Sequence, residues 1–189
     1  MLRTIFLAAV LFSLAGPASA HPGHEASGFL HPFTGIDHLL AMVGVGVWAA
    51  LLAVRKPASG VLVPLAFTIM MAIGAIAAFA GINLPFAEAA IIASVFVVGG
   101  LILASVRMPM VGAMTVVGLF AVFHGYAHAL EAPAKAAGLY VLGFLVATAL
   151  LQAIGFGLGR AMLRRVGNLG LRALGGVVVV GGALALITQ

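Results

Sequence analysis

His124 and His128 stand four residues apart, and Glu131 follows three residues later. On a helix, those spacings set both imidazoles and the carboxylate along one face. A second group lies upstream in His31-Pro32-Phe33-Thr34-Gly35-Ile36-Asp37-His38, with Met42 one turn beyond His38. Imidazole and carboxylate donors suit nickel, cobalt, zinc or iron, whereas magnesium and calcium prefer all-oxygen shells. The chain has 0 cysteines, so thiolate sites and disulfides are excluded. The remaining groups of this chemistry are His21, His24, Glu25 and Glu88, which complete the 6 histidines and 4 acids of the chain.

Each group also has a plainer explanation. Thr34 as N-cap with an acid three residues on is a capping box, which accounts for Asp37 but not for His38. Glu88 in a first helical turn is favoured by the helix dipole. Two histidines can hydrogen-bond between helices. The triplet His124, His128 and Glu131 argues against that explanation, because imidazoles set deep in so apolar a chain should face a polar cavity or a partner.

The elements that position these residues are membrane helices. Of 189 residues, 64% are hydrophobic and 7% charged, and the mean hydropathy is +1.28. A soluble domain of ordinary composition carries roughly a quarter charged residues. Residues 1–20 read as a cleaved signal peptide: Arg3 opens it, an apolar core follows, Gly16-Pro17 breaks the core, and Ala18-Ser19-Ala20 ends it. Residues 21–33 form an external segment that begins with His21, and 34–189 form the transmembrane domain. Six apolar runs fall at about 34–54, 61–80, 85–106, 109–130, 137–159 and 169–188, with prolines at or beside most of the turns. Barrel strands would be shorter and alternate in polarity, so the expected fold is an all-α integral membrane protein of six transmembrane helices.

Arg55, Lys56, Arg107, Arg160, Arg164, Arg165 and Arg172 occupy one set of ends, and Lys135 alone occupies the other. This asymmetry orients the chain N-out and C-out. All the histidines and acids then fall on the outer side. The basic residues orient the chain, which excludes nucleic acid as partner, and without a Walker loop no ATP is used. Two groups of three spans would make any duplication an inverted repeat. Small-residue spacings such as Gly155-x3-Gly159, Gly175-Gly176 and Gly181-Gly182 suit close helix packing, and a homo-oligomer is compatible with the sequence.

HPFTGIDHLLAMVGVG at 31–46 resembles the first signature of the HupE/UreJ family of nickel and cobalt permeases. FHGYAHALE at 123–131 resembles the second, FHGxAHGxE, with Ala129 where that pattern usually has glycine. The leader, the six spans and a mature chain opening with histidine fit the same family. The resemblance implies a secondary permease of the bacterial inner membrane, its metal site facing the periplasm, that imports nickel, or in some members cobalt, as its transported substrate and has no catalytic cofactor. The metal site expected from the residues and the resemblance is His31, Asp37, His38, His124, His128 and Glu131, with His21, His24, Glu25 and Glu88 as further candidates. The alternative from another class is an intramembrane hydrolase that activates water on a metal held by the same histidines.

Overall fold

The structure is a computed structural model, and it describes residues 28–188. The expected signal peptide and the segment with His21, His24 and Glu25 lie outside the described residues. Seven helices follow in order: α1 His31–Thr34, α2 Ile36–Leu52, α3 Ser59–Phe79, α4 Ala87–Leu103, α5 Met110–Leu130, α6 Ala137–Arg165 and α7 Asn168–Thr188. The described residues contain no strand.

Four of these helices, α3, α5, α6 and α7, are long and apolar enough to cross a membrane; α2 and α4 are apolar but shorter. Their outward faces carry large apolar side chains where a soluble protein would be polar. On α3, Val61, Leu65, Ile69, Ile73 and Ile76 are all exposed at helical spacing, and Leu139, Leu142, Val146, Leu150, Ile154 and Leu158 do the same on α6. Stripes of this kind match lipid as the surrounding solvent and fit a multi-pass membrane protein.

Helix α2 occupies the middle and touches every other helix. From Met42 to Leu52 nearly all of its residues are buried, Trp48 among them, and the Trp48 indole N–H donates to the Val106 carbonyl at 3.0 Å. The remaining close pairings are α3 with α5, α2 with α6 and α4 with α7. Two of them are made by reciprocal glycines. A Cβ on Gly46 would strike the Gln152 carbonyl and one on Gly155 the Val43 carbonyl; one on Gly74 would strike Val122 and one on Gly125 the Met71 carbonyl. Such contacts bring helix backbones together where lipid gives no hydrophobic drive.

Two expectations are corrected. Gly35, in extended conformation, is the N-cap of α2, and no side chain caps it. The Thr34 hydroxyl donates instead to the His31 carbonyl at 2.7 Å, so the capping box at Thr34 does not form. The fifth run continues as helix to Arg165, because arginines end the apolar stretch without ending the helix.

The chain's chemistry separates by end. Arg55, Lys56, Ser59 and Arg107 line one cavity of about 310 Å³, and the Arg172 guanidinium donates to the Leu103 carbonyl at that same end of α4. The start of α2 and the end of α5 lie at the opposite end.

Candidate metal centre

The short α1, ended by Gly35, folds His31 back over the start of α2. A side chain at Gly35 would press on Asp37 Oδ1 and His38 Nδ1, so glycine there leaves room for this pair. Asp37 Oδ1 accepts the His38 backbone N–H at 2.9 Å and lies 2.8 Å from His38 Nδ1. A carboxylate only accepts, so His38 carries its ring proton on Nδ1 and its Nε2 keeps a lone pair. Carboxylates commonly orient a metal-binding histidine in this way.

Helix α5 supplies the other half. His124 and His128 project inward from its last two turns and are fully buried, while Glu131 is its exposed C-cap. The four rings pack together. His31 lies 4.7 Å from His128, His38 lies 4.6 Å from His128 and 5.2 Å from His124, and His31 lies 6.2 Å from His38. Phe144 stacks on His128 at 4.9 Å and Phe67 borders His124 at 5.6 Å, so the inner wall is apolar. His31 Nε2 and Glu131 Oε2 are 2.7 Å apart. That hydrogen bond, reinforced by the nearby histidine charge, holds the Glu131 carboxyl below its ordinary range.

The polar atoms do not all find partners. Ser94 Oγ lies 2.6 Å from the Ile91 carbonyl, which can only accept, so its single proton goes there. His124 Nε2, 3.0 Å from the same oxygen, must then be the donor, and His124 Nδ1 is left with a lone pair. His124 Nδ1 and both ring nitrogens of His128 are buried without a hydrogen-bond partner. An unsatisfied buried group costs about 1–3 kcal/mol. A neutral imidazole carries one N–H and one lone pair, so His124 Nδ1 and one of the two His128 nitrogens are the buried acceptors a cation would satisfy.

His31, His128 and Glu131 each offer a ligand atom within 4.8 Å of the other two. Asp37, His38 and His124 adjoin this triplet rather than form part of it. Glu88, the weakest expectation, lines with His31, Thr34, Gly35, Asp37, His38 and Glu131 a cavity of about 430 Å³. Burial rises inward along the set: Glu88 and Glu131 are exposed, His31 and His38 partly buried, His128 and His124 fully buried. Sequence reasoning missed Ser94. A single serine in the apolar α4 was a visible signal, but no periodicity links it to a histidine 30 residues away.

The family model of the HupE / UreJ proteins matches residues 8–185. Protein HupE of Rhizobium leguminosarum bv. viciae is 42% identical over 185 residues, covering 94% of this chain and 95% of that one. No solved structure matches the chain.

Proposed function

The chain belongs to the HupE/UreJ family, and from that premise we propose that it is a secondary permease importing nickel, or cobalt, into the cytoplasm. The observation that carries this reading is the pair of unpartnered imidazole lone pairs, on His124 Nδ1 and on one nitrogen of His128, buried behind the His31–Glu131 pair. Donors of nitrogen and carboxylate oxygen without thiolate favour a divalent transition metal over magnesium or calcium.

In this reading the six helices α2 to α7 all span the inner membrane. The 17 residues of α2 and of α4 reach about 26 Å, at the short end of what crosses a bilayer. The basic end faces the cytoplasm, and the histidine end faces the periplasm. Residues 1–20 are removed as a signal peptide, and His21, His24 and Glu25 of the exposed segment gather the ion. Glu88 and Glu131 attract it at the mouth. His31, His38, His128 and His124 then replace its water, with Asp37 holding the His38 ring. A divalent cation moving inward gains about 4.6 kcal/mol at 100 mV, enough for roughly a thousandfold accumulation. No catalytic cofactor is required.

Uptake of radioactive nickel by right-side-out vesicles tests this reading. Wild type should accumulate nickel when a potential is imposed, and His124→Ala with His128→Ala should abolish uptake while leaving the protein in the membrane. Wild-type uptake by that double variant would reduce the pair to structural histidines. A wild-type chain that moves no nickel yet cleaves a membrane substrate would favour the hydrolase reading.

A further inference from the structure

Inward from the histidines, a second group of donors is assembled from three helices. Met42 of α2, Met71 of α3 and Thr148 of α6 are each fully buried. The Thr148 hydroxyl lies 3.3 Å from the Met42 sulfur and 3.5 Å from the Met71 sulfur. This is an unusual choice for a helical threonine. Thr68 and Thr115 of this chain return their protons to the carbonyl four residues back, the stronger local acceptor. Thr148 instead faces two thioethers, which accept only weakly.

One turn further along α6 lies Gln152, 2% exposed. Its amide oxygen is 3.4 Å from Thr68 Oγ1, and its Nε2 is buried without a partner. Thr68 has one proton, and the Pro64 carbonyl at 3.2 Å is the nearer acceptor. With the proton there, a half-turn of the Gln152 amide lets Nε2 donate to Thr68 and leaves Oε1 as a buried, unpartnered acceptor. In either orientation Gln152 keeps one polar atom unsatisfied in the interior.

We infer that Met42, Met71 and Thr148, with Gln152 next inward, form a second binding site for the transported ion beneath the histidine cluster. Met42 lies one helical turn inward of His38, a step of about 6 Å. With a metal–sulfur bond of about 2.3 Å and a metal–oxygen bond of about 2.1 Å, two donors on one ion lie about 3.1 Å apart at a right angle and about 3.6 Å apart at the tetrahedral angle. Both observed hydroxyl–sulfur separations fall inside that interval. Thioethers are soft ligands. An ion that has shed water at the histidines meets two sulfurs here, which nickel and cobalt accept and hard magnesium does not. The deeper site therefore filters the cargo a second time. This inference rests on the import reading above.

The test uses the full chain with nickel as probe. Because the chain contains no cysteine, any sulfur in the shell of bound nickel must come from methionine. X-ray absorption of nickel-loaded wild type should show a sulfur scatterer beside nitrogen and oxygen. Met42→Leu with Met71→Leu, a volume-conserving change that cores tolerate, should lose the sulfur and keep the nitrogen. Its maximal nickel uptake should fall at least tenfold with little change in the half-saturating concentration, since the outer cluster is intact. Thr148→Val should behave alike and Thr148→Ser should recover uptake, which separates ligation from folding. A nitrogen–oxygen shell alone in wild type, together with full uptake by the methionine variant, would overturn the deeper site and leave import standing. Wild-type vesicles that take up no nickel would overturn import, and this inference with it.

Discussion

Replacing His128 by leucine should have opposite effects on stability and on function. The side chain is fully buried and neither ring nitrogen has a partner. Removing an unsatisfied polar group returns about 1–3 kcal/mol. Leucine fills a similar space but loses the stacking of His128 on Phe144 at 4.9 Å, which is worth about 0.5–1.5 kcal/mol. Stripped of metal, His128→Leu should therefore be more stable than wild type, by about 1 kcal/mol on balance, or about 2–4 °C in Tm for a chain of this size. With nickel in thousandfold excess over its Kd, wild type should gain about 4 kcal/mol, and a variant lacking a ligand should gain far less.

The assay is thermal unfolding in detergent, followed through Trp48, the single tryptophan, which is buried in the last third of α2. It is run with chelator and with excess nickel. Two results refute the reasoning. A metal-free Tm that drops by more than a few degrees would mean the His128 nitrogens already have partners. A full nickel-induced rise in the variant would mean His128 is no ligand.

Because the chain lacks cysteine, single substitutions report topology: Ala58→Cys and Asn168→Cys, both exposed, should label only from the cytoplasm, and Ala134→Cys only from outside. Labelling of the last from inside would reverse the orientation. Ser94→Ala frees the His124 ring that Ser94 fixes at 3.0 Å, and nickel uptake should fall about tenfold, with Ser94→Thr largely restoring it; unchanged uptake in the alanine variant would make the contact incidental. His21→Ala with His24→Ala, in a chain still cleaved after Ala20, should lose uptake mainly at limiting nickel, and equal uptake at every concentration would reduce that segment to a tail.

The helices and their apolar faces were legible because lipid demands long apolar runs, and the run-to-run correspondence holds for every helix from α2 to α7. The clustering of His31, His38, His124 and His128 was legible for a related reason. Charge asymmetry sorts helix ends, and a histidine at the start of α2 and another at the end of α5 must then share an end. What stayed hidden depends on contacts between distant segments. Thr34 carries a capping signature, yet the extended Gly35 takes the N-cap position, and the Asp37–His38 pair fills the space a side chain there would need. Ser94, Met71 and Thr148 look like isolated side chains in apolar runs until the fold brings each to its partner.

The division of the proposed ligands between the two halves of the chain has a consequence for the glycines. His31, Asp37 and His38 belong to the first three long helices with their lead-in turn, whereas His124, His128 and Glu131 belong to the last three. The pairings α3 with α5, α2 with α6 and α4 with α7 all join one half to the other. They also map onto one another when the halves are exchanged, as a repeat would require. In the proposed site, closing the ligand set and docking the halves are then the same event. Gly46 tests this, because it lies two turns inward of His38 and its Cβ would strike the Gln152 carbonyl of the other half. Gly46→Ala overpacks that contact, at a cost of about 1–3 kcal/mol, and separates α2 from α6 without touching a residue of the histidine cluster. Nickel affinity should weaken by tenfold or more, while Gly157→Ala, where a Cβ meets nothing within 4 Å, should leave affinity unchanged. If both alanine variants bind nickel as wild type does, the site closes independently of how the halves meet.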